Sequence, residues 1–352
     1  MKVSFNIKFK QGPYGGGMQF ANFLRNYLEK NNIEVVNNLK DKNINIIFHI
    51  SPFLTESSAY SFWDAYLYKI KNPQTAIIHR INECDERKGT DFVNKKLVLA
   101  NKYSDYTVYI ASWLKPLLEK AGIDPEKPWQ VIHNGADQNI FNRQEKAFDF
   151  KQDRRLKLVT HHWGASYLKG HDIYKKIDDL LEKDNFKNKF ELTFIGNYPA
   201  DINYKNVNLI EPLSGHDLAG ELRKHDVYIT ASRNEPAGMH HIEGAMCGLP
   251  LLYINSGALP EYCSQYGLEF NENNLEEKLF EIYENYQHYL SKIENYKFTA
   301  ELMAERYMKL FQDVFDKRLD FSYKKHGISK LVDLNKAKVN AILYHSKFFR
   351  KL

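Results

Sequence analysis

The chain has 352 residues, of which 43% are hydrophobic and 26% charged, and it carries a net charge of +5. That length suits two domains of ordinary size, and no apolar run reaches the roughly 18 residues that a membrane-spanning helix needs. Three scattered cysteines, Cys84, Cys247 and Cys263, exclude a disulfide framework or a cysteine-rich zinc site and suit a reducing, cytoplasmic setting.

Residues 1–9 alternate apolar and polar side chains, which predicts a strand over 3–9 and not a signal peptide. A helix is predicted over 19–31, with Phe20, Phe23, Leu24, Tyr27 and Leu28 on one face. Short apolar strands follow at 44–50 and 75–81, then a helix at 94–103, a strand at 106–111, a helix at 112–121 and a strand at 130–133. Residues 142–155 are mostly polar and lack a sustained period, which reads as a linker. Beyond it come strands at 157–161, 190–196, 227–231 and 251–254, with helices at 172–183, 217–224 and 242–247 between them. Residues 275–317 are helical in pattern. This βα rhythm is that of doubly wound parallel sheets. No internal repeat or low-complexity segment interrupts it.

Charge is concentrated at the end of the chain. Residues 317–352 hold ten Lys or Arg and two Asp, a net of +8, which leaves the first 316 residues near −3. Such a tail excludes a nucleic-acid-binding domain spread over the protein and favours a local contact with an anionic surface. Phe348, Phe349 and Leu352 lie among Lys347, Arg350 and Lys351, so peripheral membrane contact stands beside the plainer reading of a solvated, frayed terminus.

The densest chemical signal lies at 232–250, Ser-Arg-Asn-Glu-Pro-Ala-Gly-Met-His-His-Ile-Glu-Gly-Ala-Met-Cys-Gly-Leu-Pro. Pro236 and Gly238 place Glu235 on a loop, because neither residue suits a helix interior. Residues 239–247 then read as a short helix stopped by Gly248 and Pro250. Its first backbone amides have no internal partner and carry the positive end of the helix dipole. At ~1.5 Å of rise per residue, Glu243 lies roughly 6–8 Å beyond the helix start. Two carboxylates flanking free N–H donors suit a nucleotide-sugar diphosphate. Solvated carboxylates on an ordinary loop and helix are the bland alternative.

This segment resembles the E-x7-E motif of retaining GT-B glycosyltransferases of family 4, the group 1 type. Three further segments carry the resemblance in the same order: Gly15-Gly16-Gly17 after the first strand, Asn134-Gly135-Ala136-Asp137, and Lys169-Gly170 after the strand at 157–161. The resemblance implies an α/β GT-B fold, two Rossmann-like doubly wound domains facing across a cleft. The acceptor domain would span 1–145 and the donor domain with its helices 146–316, ahead of the basic tail 317–352. It also implies roles. Glu235, Gly238, Met239 and His240 would face the donor sugar and diphosphate, Glu243 would hold the ribose, and Lys169 would neutralise the diphosphate. Gly15, Gly16 and Gly17 would let backbone approach it closely. Leu213, in Glu211-Pro-Leu213, would lie against the base, and His79 is the nearest match to a histidine that touches the donor sugar as a catalytic group. Many relatives have an Arg five residues before the Lys. Here that position is Gly164, so Arg233, Arg80, His161 or His162 would have to supply the second positive charge.

The activity implied is transfer of a hexose from a GDP- or UDP-sugar to a hydroxyl of a glycan or glycolipid, with retention and without a metal or other cofactor. No Asp-x-Asp metal motif is present. Adjacent His161 and His162 on a strand would point to opposite faces, which argues against a shared zinc. A GT-B sugar-nucleotide epimerase, a phosphorylase, and a catalytically inactive sugar-nucleotide-binding protein remain as alternatives.

Overall fold

The structure, a computed structural model, describes residues 1–10, 16–51, 55–148, 150–316 and 330–345. Its chain forms two compact units, Met1–His133 with Met303–Leu352, and Asn134–Leu302. The parting falls before the predicted linker, and the last helices return to the first unit.

The first unit begins β1 (Lys2–Phe5), α1 (Gly16–Lys30), β2 (Glu34–Val36), β3 (Ile46–His49), α2 (Phe62–Lys71) and β4 (Ala76–Ile81). It continues α3 (Asp85–Lys88), α4 (Val93–Lys102), β5 (Tyr106–Tyr109), α5 (Leu114–Ala121) and β6 (Trp129–Val131). The six strands are parallel, in the order β2-β1-β3-β4-β5-β6. Strands β3 and β4 are buried at every position. Helices cover both faces of such a sheet, so these strands are mostly apolar, with His49, His79 and Arg80 the buried exceptions. Helix α2 has no counterpart among the predicted elements. Its signal was a capping box: Ser61 Oγ accepts the Asp64 amide at 3.2 Å, and Asp64 accepts the Ser61 amide at 2.9 Å.

The second unit contains β7 (Leu156–His162), α6 (His171–Leu180), α7 (Asp184–Lys187), β8 (Phe190–Gly196), β9 (Asn208–Ile210), α8 (Gly215–Arg223), β10 (Val227–Thr230) and α9 (His240–Met246). After these come β11 (Leu251–Ile254), α10 (Leu259–Cys263), β12 (Gly267–Phe270), α11 (Leu275–Glu284) and α12 (Tyr286–Ile293). Its parallel sheet runs β9-β8-β7-β10-β11-β12. Numbered within the unit, that is the 3-2-1-4-5-6 order of a dinucleotide-binding sheet. The strand order reverses between β7 and β10, and ligands of such sheets bind beyond the carboxyl ends of the strands at that point.

The predicted linker is part of this unit. Phe150 is buried between the rings of Tyr283 and Tyr286, at 5.5 and 4.8 Å. Arg154 grips Asp226 with two bonds of 2.7 and 2.9 Å. One aromatic and one arginine tie down a stretch whose average composition is polar.

Helix α13 (Ala300–Phe315) leads back to the first unit, and aromatic packing explains why. Tyr307 and Phe311 each lie 5.2 Å from the Phe48 ring on β3, and Tyr307 lies 5.4 Å from Phe20 on α1. Helix α14 (Lys330–His345) lies on α2, with Ala337 and Ala341 buried among Phe62, Trp63 and Ala100. Small residues on that face allow the close approach. Part of the basic tail is therefore a packed helix, although Val339 and Ile342 on it are 55% and 71% exposed. Phe348, Phe349 and Leu352 lie outside the described residues.

Burial of histidine sets an acid limit on this fold. Burial holds His49 and His171 down to about 4 and His241 to about 3, and drives His79 and His240 well below the usual histidine range. A histidine whose folded pKa is depressed stabilises the fold fully above its unfolded value of ~6.5 and loses that contribution as pH falls from there toward its folded pKa. Each such ring costs on the order of 1 kcal/mol per pH unit in that window. Thermal melts should therefore drop steeply between pH 6.5 and 5, and replacing His241 with Phe should reduce the slope. A melting temperature that is flat over this range in the native protein would contradict the neutral, buried assignment.

Candidate functional site

The carboxyl end of β10 leads into the loop 231–239, and this loop is bent by its surroundings. Asn234 takes a left-handed φ of 50° and its amide donates to Ser256 Oγ at 2.8 Å. The Glu235 carbonyl accepts the Ala258 amide at 2.8 Å. Gly257, at φ 59°, lies so close beneath that a Cβ there would stand 2.5 Å from the Glu235 backbone nitrogen and oxygen. Asn134, the first residue of the Asn-Gly segment, donates from Nδ2 to the Ala237 carbonyl at 2.9 Å. That segment braces the loop, a role its sequence did not disclose.

The Glu235 carboxylate is buried. Its Oε2 accepts from Ser232 Oγ at 2.8 Å and faces Lys169 Nζ at 3.3 Å. Lys169 closes a short 3-10 turn, Tyr167–Lys169, that follows β7. The next residue, Gly170, at φ 90°, touches Ala231 so closely that a Cβ would lie 2.4 Å from it. The Arg233 amide also donates to the Leu168 carbonyl at 2.8 Å. Two backbone approaches thus stitch the β7 and β10 loops together, and this brings the ammonium to the carboxylate.

Gly238 lies against both Glu235 and His240. A Cβ on it would fall 2.6 Å from His240 Nδ1 and 2.9 Å from Glu235 Cδ. His240 is buried, its Nε2 2.9 Å from Thr230 Oγ1, and burial beside His162 and His241 keeps the ring neutral at ordinary pH. Met239 precedes the first turn of α9, and no side chain caps that helix. Glu243, one turn into α9, is buried with its Oε2 2.8 Å from His161 Nε2 at the end of β7. The His161 and His240 rings are 6.3 Å apart, so Glu235, Lys169, Gly238, His240, His161 and Glu243 form one continuous cluster at the β7–β10 switch point. The neighbouring His162 bonds Tyr174 OH at 2.9 Å and not Glu243, and its ring lies 4.8 Å from that of His240.

The remaining predicted residues lie elsewhere. Leu213 is half-buried in the connection from β9 to α8, at the same carboxyl edge of the sheet. Gly16 and Gly17 open α1 in the first unit, with space around Gly17, and Gly15 lies outside the described residues. His79 is fully buried within β4. Its Nδ1 lies 3.4 Å from Asn101 Nδ2 and its ring stands edge-on to His49 at 5.6 Å. It lies in the sheet interior.

The arginines that could supply a second cation are held by neighbours. Arg233 is held by both Asp172 oxygens at 2.7 and 2.6 Å and by Glu272 at 2.7 Å. Arg80 is buried with its guanidinium 3.9 Å over the Phe20 ring. A Cβ on Gly164 would meet no atom within 4 Å, so this position lacks an arginine by sequence and not for want of space.

Residues 169–297 match the Glycosyl transferases group 1 family, so the second unit carries a group 1 (GT4) glycosyl transferase domain. The fold as a whole is similar to sucrose-phosphate synthase from Thermosynechococcus elongatus, at 12% identity and a TM-score of 0.62, over 90% of this chain and 99% of that one. It is also similar to Anabaena HepE in complex with UDP-glucose, at 14% identity and a TM-score of 0.63, over 89% of this chain and all of the other. A Rickettsia africae glycosyltransferase matches at 16% identity and a TM-score of 0.61, over 89% and 98%. The two six-stranded parallel sheets are those of the GT-B glycosyltransferase fold. The sequence matches no curated protein.

The glycines give a local test. Gly257→Ala adds a Cβ against the Glu235 backbone at a left-handed φ and should cost about 1–3 kcal/mol of stability. Gly164→Ala, in open space, should stay within about 0.5 kcal/mol of the native chain. Urea unfolding of the two variants checks the contrast, and equal effects would refute the packing described.

Proposed function

We propose that the protein is a retaining glycosyltransferase that moves a hexose from a nucleotide diphosphate sugar, UDP- or GDP-linked, to a hydroxyl of a glycan or glycolipid. The observation that carries this reading is the pairing of Lys169 with the buried Glu235 carboxylate at the switch point of a 3-2-1-4-5-6 sheet, within a group 1 glycosyl transferase domain. The UDP-glucose held by HepE supports a nucleoside diphosphate hexose as donor.

In this reading the bond from the sugar's anomeric carbon to the β-phosphate oxygen breaks, and the acceptor oxygen bonds to that carbon on the same face. The acceptor proton passes to the departing phosphate. Lys169 and the backbone of Gly238, Met239 and His240 take up charge on the leaving diphosphate, so that no metal is required. Glu235 holds the sugar and favours its developing positive charge, Glu243 holds the ribose, and Leu213 borders the base.

Thermal shift against UDP, GDP and ADP and their hexose conjugates provides the first test. A ligand at 100 times its Kd stabilises by about 2.7 kcal/mol, and a panel with no shift at all would end the proposal. Glu235→Ala should lower kcat by about 10²–10³-fold with the nucleotide still bound. Unchanged turnover in that variant would remove Glu235 from the site. Incubation with donor alone separates the epimerase reading, which requires a new sugar nucleotide to form without acceptor.

The basic end of the chain supports a peripheral contact with anionic lipid as part of the same proposal. Among the described residues no helix is long and apolar enough to cross a membrane. Sedimentation with liposomes containing phosphatidylserine should therefore depend on residues 318–352 and weaken as salt rises. Equal sedimentation with and without that segment would refute the contact.

A further inference from the structure

The second carboxylate of the cluster is held differently from the first. Glu235 meets an ammonium, whereas Glu243 meets an imidazole that is itself fixed at both nitrogens. His161 Nε2 lies 2.8 Å from Glu243 Oε2, and His161 Nδ1 lies 3.1 Å from Tyr228 OH. A ring that donates to a carboxylate from Nε2 accepts at Nδ1. The Tyr228 hydroxyl keeps its proton, because burial drives its pKa well above the usual tyrosine range, and it has that nitrogen at 3.1 Å and the His161 carbonyl at 3.4 Å as acceptors. The same hydroxyl oxygen accepts the His161 backbone amide at 3.1 Å.

Tyr228 has little freedom. Gly244, the residue after Glu243, packs on its ring so tightly that a Cβ would stand 2.3 Å from it. The contacts therefore close a circuit: Glu243 to His161, His161 to Tyr228, Tyr228 to Gly244, and Gly244 back to Glu243 along the chain. All of these groups are buried in the second unit. Among the described residues Glu243 Oε1 has no hydrogen bond, so one oxygen is anchored and the other is presented in a set direction.

We propose that His161 is a positioning residue for Glu243, fixing its carboxylate so that Oε1 and the remaining capacity of Oε2 accept the ribose hydroxyls of a nucleotide. The inference rests on the reading of Glu243 as the ribose-binding carboxylate. It is separable from the identity of the sugar, base and acceptor, since only the ribose edge is involved. A site built to bond a hydroxyl discriminates strongly against an analogue that lacks it. Loss of the orienting donor should therefore appear as lost discrimination and not as a general loss of binding.

Calorimetric titration of the full chain with UDP, GDP and ADP, and with their 2′-deoxy and 3′-deoxy counterparts, tests this. The native protein should prefer at least one ribonucleotide over a deoxy counterpart by tenfold or more, and Glu243→Ala should erase the preference. His161→Ala should reduce it about 5- to 10-fold while leaving affinity for the deoxy compound unchanged. His161→Gln, whose amide still donates, should recover most of it. Tyr228→Phe, which keeps the packing and removes the hydroxyl beside Nδ1, should shift the preference in the same direction as His161→Ala. Native discrimination in both His161→Ala and Tyr228→Phe, or equal weakening of ribo and deoxy compounds, would overturn the positioning role. Native discrimination in Glu243→Ala would instead overturn the ribose reading, whatever His161 does.

Discussion

A buried carboxylate has to be compensated, and in this protein that requirement falls on the meeting of two loops. Glu235 is out of solvent, so it depends on Ser232 and on Lys169. Lys169 belongs to a different βα connection, and it reaches Glu235 only because Gly170 lies against Ala231 and the Arg233 amide bonds to Leu168. Those approaches are possible only at neighbouring strands, and β7 and β10 are neighbours because the strand order reverses there. Sheet order, loop contact and ion pair form one chain of dependence. Removing Lys169 would take the ammonium away from a buried carboxylate, which costs more than losing a surface ion pair.

Much of this was legible in the sequence because it rests on local rules. Buried parallel strands leave apolar runs, and β8 and β11 fall where those runs predict them, at 190–196 and 251–254. Pro236 and Gly238 forced a loop at Glu235, and Gly248 with Pro250 ended the helix behind it. What escaped were features that depend on partners distant in the chain. Short edge strands such as β2 and β9, three residues each, carry too few positions to show a period. Asn134 is a plain turn residue until its bond to Ala237 is known. His161 and His162 look alike in sequence, yet one faces Glu243 and the other Tyr174.

The boundary between the units illustrates the same limit. A polar stretch at 142–155 resembles a linker on average composition, but burial is decided residue by residue. Phe150, Arg154 and the buried Lys146, whose Nζ donates to the His225 carbonyl, hold it in the second unit. At the other end, α13 carries a helical period that is silent about which core its apolar face joins. The ring contacts of Tyr307 and Phe311 with Phe48 answer that, and they assign the helix to the first unit. Periodicity identifies a buried face; only the tertiary structure names what lies against it.

Charge balance gives the cluster its character. A diphosphate brings more than one negative charge, yet the position that often holds an arginine in relatives is Gly164, with open space around it. Arg233, one of the substitutes named from the sequence, is engaged with Asp172 and Glu272, two carboxylates against one guanidinium. It therefore lends its surroundings no net positive field. On the proposed reading Lys169 has to serve two anions in turn, Glu235 in the empty site and the diphosphate in the filled one. Each contact it makes with phosphate weakens its hold on Glu235, and the freed carboxylate is then available to the sugar, whose developing positive charge takes the place of the ammonium. The scarcity of cations would thus couple the two ends of the donor: neutralising the leaving group releases the carboxylate that the transferring sugar requires.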